Sequence, residues 1–383
     1  MREVAVVGVG MTPVGEHWNV GFRDLAGDAV RAALTESNVA GIDALVIGNA
    51  LGGTISGQNH VAPLIADYVG MRGIEAVHVE GADASGGLAF RYGCLMIASG
   101  AADTVMVLGV EKVTDVVGSG RGKALATMLD SEYEAAHGAT PVGVAALLMR
   151  RYLHEYKVNL TGFANFSVNA HANGGKNPLA MYKNQIKAER FAAAPVVAEP
   201  INLFDVAPDA DGAAAVILTT AERAADLTAN PIRVLASAVG TDALAVHERT
   251  DPLFLTAVKQ SADRAFRQAN LTPDEISFAE IHDAATILST LALEASGFAG
   301  RGEGWKLAAE GAIMPAGTLP ISTFGGLKSR GNPIGATGVY QVVEVVLQLR
   351  GAAGANQIKD AKIGMAQSLG AVGATAVTHI FGR

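Results

Sequence analysis

One alternation occurs twice along this chain and limits what it can fold into more than anything else. Short, almost wholly apolar runs rich in Val, Ile and Ala are separated by helical stretches of about 10 to 15 residues. In the first half the runs are residues 4–9, 44–47, 76–79 and 104–110, with a helical stretch at 22–36. In the second they are 213–218, 232–239, 278–281, 363–367 and 374–381, with a helical stretch at 254–269. Apolar runs this short, lacking polar alternation, read as strands covered on both faces. Helices between them return the chain to begin a parallel neighbour. The expectation is an α/β fold made by duplication, two sheets stacked with their helices in layers.

Residues 117–198 break the rhythm, being richer in Lys, Tyr, His and Asn and holding helical stretches at 141–156 and 161–173. They read as a cap over one sheet edge. The expected division is therefore 1–116 plus 199–220 as the first half, 117–198 as a cap or loop domain, and 221–383 as the second half.

Composition fits that plan and excludes several others. Half of the 383 residues are hydrophobic, 17% are charged, and Gly reaches 45, which suits helices packed closely on a sheet. Net charge is −8 with no basic cluster large enough for nucleic acid, and no apolar run reaches membrane-spanning length. Met1-Arg2-Glu3-Val4 carries no secretory signal pattern, so a cytoplasmic location is expected. The single cysteine, Cys94, allows no internal disulfide, and nine His show no ligand spacing, so no metal is expected.

Four segments at predicted strand ends carry the chemistry, where α/β sheets place their ligands. Val79-Glu80-Gly81-Ala82-Asp83-Ala84-Ser85-Gly86-Gly87 puts a carboxylate and free N–H groups at a helix start, which serves either an oxyanion or a plain N-cap at Asp83. Glu280-Ile281-His282-Asp283-Ala284-Ala285-Thr286 offers His282 to polarise a carbonyl. Residues 324–341 form a Gly-dense string, with Gly325, Gly326, Lys328, Asn332 and Tyr340, ahead of a helix at 339–350. Lys328 in Lys328-Ser329-Arg330 is placed to meet a nucleotide phosphate. Ser368-Leu369-Gly370-Ala371-Val372-Gly373 reads as either a tight hairpin or part of the site.

Taken together these strings resemble the thiolase superfamily from end to end, most closely archaeal thiolases, sterol-carrier-protein-type thiolases and lipid-transfer-protein-type side-chain aldolases. Gly8-Val9-Gly10-Met11-Thr12-Pro13, Val107-Leu108-Gly109-Val110-Glu111-Lys112 and Asp211-Gly212-Ala213-Ala214-Ala215 add co-linear support. The resemblance implies a five-layered α-β-α-β-α fold, a homodimer or higher oligomer, and an acyl-CoA substrate, so that coenzyme A enters with the substrate and no cofactor is held tightly.

The departures from the family are the informative part. Asp83 stands at the family's nucleophilic cysteine, Asn332 at its Gly-His-Pro histidine, and Ser368 at its second cysteine. His282 is kept. Acyl transfer needs a thiolate and a base beside it, and neither is present. The expectation is C–C cleavage without a cysteine acyl-enzyme, foremost retro-aldol cleavage of a β-hydroxyacyl-CoA, as in side-chain aldolases of steroid degradation. By that likeness an OB-fold/zinc-ribbon protein is an expected partner. Asp83, His282, Tyr340 and Asn332 are the catalytic candidates, the N–H groups of Asp83 and Gly370 the oxyanion donors. Ser85, Gly325, Gly326, Lys328 and Ser368 are the substrate-binding candidates. An atypical acetyl-CoA acetyltransferase and a non-catalytic CoA-binding subunit are the alternatives.

Overall fold

The computed structural model describes residues 2–383. The first half runs β1 (Val4–Met11), α1 (Phe22–Thr35), β2 (Ala44–Gly48), α2 (Val61–Tyr68), β3 (Glu75–Val79), α3 (Ser85–Ser99) and β4 (Thr104–Glu111). A long excursion follows, with α4 (Ser119–Ala126), α5 (Pro141–Tyr156), α6 (Ala164–Gly174), α7 (Ala188–Ala192) and the hairpin β5 (Val196–Ala198) and β6 (Ile201–Asn202). The chain then re-enters the sheet as β7 (Gly212–Thr220), which α8 (Ala221–Leu227) leaves. The second half is β8 (Ile232–Thr241), α9 (Thr256–Ala269), β9 (Phe278–Glu280), α10 (Thr286–Ala295), α11 (Gly304–Ala309), α12 (Thr337–Arg350), β10 (Ile363–Gly370) and β11 (Thr375–Gly382).

Duplication is visible in the pairing. Outward from β1 come β7, β4, β2 and β3; outward from β8 come β11, β10 and β9. In both halves the first two contacts are antiparallel and the next is parallel. A parallel bridge from Ala279 to Ile321 stands where β3 stands in the first half. The two halves join edge to edge at β1 and β8, through only Val4 with Val234, Ala5 with Arg233 and Val6 with Ile232. Hydrogen bonding is thus continuous over nine strands. The sheet bends at that seam around α3 and α12, which pack against strands of both halves.

Two expectations change here. The halves share one bent sheet, and that sheet is mixed. The excursion leaves at the end of β4 and returns at the same end, so β7 must run back antiparallel to it. A three-residue turn at 371–373 likewise forces β11 antiparallel to β10.

Each strand feeds two cores. Leu45 and Ile47 of β2 face α1 and α2, while Val46 faces α3 and α12; Met106 and Leu108 of β4 divide from Val105 and Val107 in the same way. On the second half α9 and α10 cover the outer face, with Met365 and Ile380 beneath them. α12 is buried along nearly its whole length, as a helix between two sheets must be. The five layers are therefore α1/α2, the first half-sheet, α3/α12, the second half-sheet, and α9/α10. Among the described residues no helix is long and apolar enough to cross a membrane.

Candidate active site

The loops leaving β3, β9 and β10, the loop entering β7 and the segment before α12 meet at one end of the sheet. Asp83 lies in a 3-10 turn, Ala82–Ala84, between β3 and α3. Its side chain caps neither this turn nor α3. Instead its carboxylate accepts a hydrogen bond at 3.3 Å from the amide of Asn332. The direction of that amide is fixed, because the Asn332 side-chain oxygen accepts from the Thr337 hydroxyl at 2.7 Å. Its backbone is pinned too, donating to Pro208 and accepting from Ala210, each at 3.0 Å.

His282 follows β9 and is 2% exposed. Its Nδ1 finds no protein partner. Asp83, Asn332 and His282 share the polar end of a cavity of about 170 Å3 with a fourth residue, Asp209. Leu125, Met128, Val142, Ala145 and Leu288 belong to its apolar lining, the first four contributed by the excursion.

Burial governs the charges. It pushes the Asp83 carboxyl up to about 6; the Asn332 hydrogen bond opposes this and the Asp209 charge adds to it. Burial, helped by the Arg330 charge, brings His282 down to about 3, so its imidazole is neutral at pH 7 and donates one ring N–H without carrying charge. Asp209 is itself raised by burial, against the pull of Arg121 at 3.6 Å. Behind this group Glu111 is wholly buried, and burial pushes it up to about 7. It accepts from the Asn49 amide at 2.6 Å and from the N–H groups of Ala50, Leu51 and Gly335 at 2.8 to 3.2 Å. One carboxylate thereby ties the end of β2 to the loop that carries Asn332.

Two helix starts converge beside Asp83. A Cβ on Gly338 would lie 2.3 Å from the Gly87 nitrogen, and one on Gly86 would lie 2.8 Å from the Gly335 oxygen. Only glycine lets α3 and α12 approach backbone to backbone, and the pair brings two partly positive ends to one point. Strain gathers here as well: Ala82, Ile334, Ala371 and Val372 have positive φ, at 54°, 32°, 48° and 56°. For β-branched Ile334 and Val372 this is costly backbone, held by the packing around it.

The remaining candidates fall outside the cavity. Tyr340 is fully buried and its hydroxyl sits against the Thr12 hydroxyl and carbonyl, both at 3.0 Å. Burial holds its phenol well above the usual range. Ser85 is spent locally, donating to the Ala82 carbonyl at 2.6 Å and accepting from Gly81 at 2.9 Å. Gly325 and Gly326 lie inside a buried π-turn, where a Cβ would strike Gly174 and Asp283. Ser368 is buried against Gly87 with its hydroxyl unpaired. Gly370 abuts the carbonyl of Gly81, so its backbone touches the Asp83 loop. Lys328 lines a different, larger cavity. Cys94 is 6% exposed within α3, and burial pushes its thiol far up. Sequence reasoning missed Asp209 and the role of Glu111. A lone Glu closing an all-apolar strand, and a second Asp just before Asp211-Gly212, were the available signals. Among the described residues no group of His, Cys, Asp and Glu forms a metal site.

With this geometry in place, the likeness to known proteins is specific. Residues 4–222 match the family described as thiolase, N-terminal domain, and residues 238–383 match the thiolase C-terminal domain-like family. The chain belongs to the thiolase superfamily. It is 42% identical to the acetyl-CoA acetyltransferase of Methanothermobacter thermautotrophicus over the full length of both chains. It is 32% identical to the benzoylsuccinyl-CoA thiolase subunit BbsB of Thauera aromatica, covering 91% of this chain and 89% of that one. Among solved structures, the Ltp2-ChsH2(DUF35) aldolase superposes with a TM-score of 0.87 at 24% identity, over 99% of this chain and 97% of that chain.

Proposed function

We propose that this protein acts on coenzyme-A thioesters by breaking a C–C bond without acylating itself, and that the reaction is retro-aldol cleavage of a β-hydroxyacyl-CoA. The observation that carries this reading is the Asp83–Asn332 pair. A carboxylate with a pKa of about 6 stands where acyl transfer would need sulfur, and an amide stands where it would need a base.

In the proposed reaction the ionised Asp83 takes the proton of the β-hydroxyl. The bond between the α and β carbons breaks, its electrons passing to the thioester, and the β carbon leaves as a ketone or aldehyde. The enolate oxygen faces the neutral His282 N–H and the convergent ends of α3 and α12. The proton held by Asp83 then moves to the α carbon, giving a shortened acyl-CoA and restoring the carboxylate. Asn332 holds Asp83 in place. Leu125, Met128, Val142 and Ala145, among the residues of 117–198 that line the cavity, shape the acyl end.

Two other readings have an observation behind them. The 42% identical relative is named an acetyl-CoA acetyltransferase, which favours acyl transfer at an atypical site. The Thauera relative is named as one subunit of a thiolase, which favours a CoA-binding subunit serving an active partner. The aldolase with the same fold is named as Ltp2 with ChsH2(DUF35), which supports a second chain beside this one; an OB-fold/zinc-ribbon partner and a homodimer of this chain are proposed from the family resemblance.

Incubating the purified protein, alone and with such a partner, with a β-hydroxyacyl-CoA and following the carbonyl product separates these. Cleavage that drops by about 100-fold or more in Asp83→Ala, with CoA binding unchanged, is the expected result. Acetyl-CoA formed from acetoacetyl-CoA and CoA, with an acyl adduct on this chain, would establish transfer instead. Wild-type rates in both Asp83→Ala and His282→Ala complexes would leave only the scaffold role.

A further inference from the structure

A second cavity, larger than the one that holds Asp83, lies next to it. It has a volume of about 830 Å3 and is roofed by residues 182–193 of the excursion. It shares only Val206 and Ala207 with the catalytic cavity, so the two lie on either side of one segment. Its body is apolar, built by Tyr182, Ile186, Ala193, Leu203 and Phe204. At its floor stands Lys328, which is 2% exposed.

Lys328 is an unusual residue to find in such a wall. An ammonium group has three N–H donors, and a buried one is costly unless they are matched. Here a single acceptor is within reach, the carbonyl of Asp205. Asp205 and Asp283 supply long-range attraction, yet no carboxylate forms an ion pair with Lys328 among the described residues. The Asp205 carboxylate is taken by Thr286 and by the Asn202 N–H, and that of Asp283 by Leu327 and Ser322. Two donors of a buried cation therefore have no protein acceptor among the described residues.

The rim agrees in sign. Lys187 and Arg190 are exposed there and form no ion pair among the described residues, against one acid in the lining, Glu189. His171, held neutral by burial, stacks its ring on Tyr182 at 6.3 Å. On a chain of net charge −8, an apolar chamber with a cation at its base and two at its mouth selects one kind of guest.

We propose that this cavity is a second ligand site, which takes an amphipathic monocarboxylate: the apolar chain lies against Leu203, Phe204 and Ala193, and the carboxylate accepts from the Lys328 ammonium. The proposal is independent of the reaction at Asp83. A shared wall at Val206–Ala207 places the guest next to the catalytic cavity without entering it.

Calorimetric titration with decanoate, using decanol as the uncharged counterpart, tests this. Decanoate binds saturably at one site per chain, and Lys328→Met weakens it by about tenfold or more, as one charge-assisted hydrogen bond requires. Decanol binds both proteins alike. Ala193→Trp, which fills the chamber, removes both ligands. Should Lys328→Met fail to fold, the surface variant Lys187→Met/Arg190→Met tests the same charge matching and weakens decanoate several-fold. Equal decanoate affinity in wild type and the charge variants would overturn the proposal, as would an absence of binding. Displacement of decanoate by free CoA would also overturn it, because the chamber would then be the cofactor's.

Discussion

Asp83 pays for its chemistry in stability. Its carboxyl has a pKa of about 6 in the fold against 3.8 for the free side chain. A raised pKa means that the folded state prefers the protonated form, so the stability tied to that proton is fully present below about 4 and is lost as pH rises to about 6. Asp83→Asn keeps an acceptor for the Asn332 amide and removes the charge. We expect it to be more stable than wild type at pH 7 by about 1–3 kcal/mol, on denaturant unfolding. The gap closes below pH 4, widens between about 4 and 6, and stays flat above. A variant no more stable at pH 7 would mean that Asp83 is well solvated. Cleavage should be lost in the same variant, which separates a working carboxylate from a structural one.

At the scale of elements, the join between the excursion and the sheet depends on Asp211. This buried side chain accepts from the N–H groups of Val113 and Thr114 at 2.7 and 2.9 Å, from the Thr114 hydroxyl at 2.6 Å, from His17 at 3.1 Å and from the Lys112 ammonium at 3.0 Å. These hydrogen bonds outweigh burial and hold its pKa below the usual range, so its contribution is present at neutral pH and lost as acid titrates it. Asp211→Ala strands the buried donors of Val113 and Thr114 and leaves the Lys112 ammonium with Asp115 alone, at 2.6 Å, and should cost about 3–5 kcal/mol in denaturant unfolding. A change under 1 kcal/mol would show that the join is held elsewhere.

How much of this the sequence disclosed varies with the range of the interaction. The strands 44–47, 104–110 and 213–218 fall inside β2, β4 and β7, because a doubly covered strand needs an unbroken apolar run. The helical stretch 141–156 coincides with α5, whose N-cap Thr140 and following Pro141 mark its start. Strand direction was hidden, since it depends on which end of the sheet the excursion returns to. At the site, Asp83, His282 and Asn332 could be singled out from their motifs, and the cavity gathers all three. Tyr340 could not be judged, because its hydroxyl is consumed by Thr12, 328 residues away in sequence. Asp209 and Glu111 matter only through neighbours that folding brings to them.

Considered whole, the molecule is two copies of one half-sheet sharing a seam of three residue pairs and an inner layer of two helices. α3 comes from the first half and α12 from the second, and each packs against both. Neither half is therefore a self-contained domain, despite the repeat. A fragment comprising residues 2–230 lacks α12 and the seam partner β8, and would expose the apolar inner faces of β1, β4 and β7. It should aggregate, or unfold without a cooperative transition, in sedimentation and circular dichroism. A soluble fragment with a sharp melt would contradict the shared-layer account.

The pairing of β1 sets a schedule for synthesis. Its partner along most of its length is β7, with Val4 opposite Thr220. At a translation rate of about 5–20 residues per second, β1 leaves the ribosome roughly 10–45 s before that partner exists. During that interval an apolar strand with two bare edges stands open to any other β-prone polypeptide nearby. A chain built in this way relies on being sheltered while it is made, and its yield in a host cell should follow chaperone supply more closely than the stability of the finished fold.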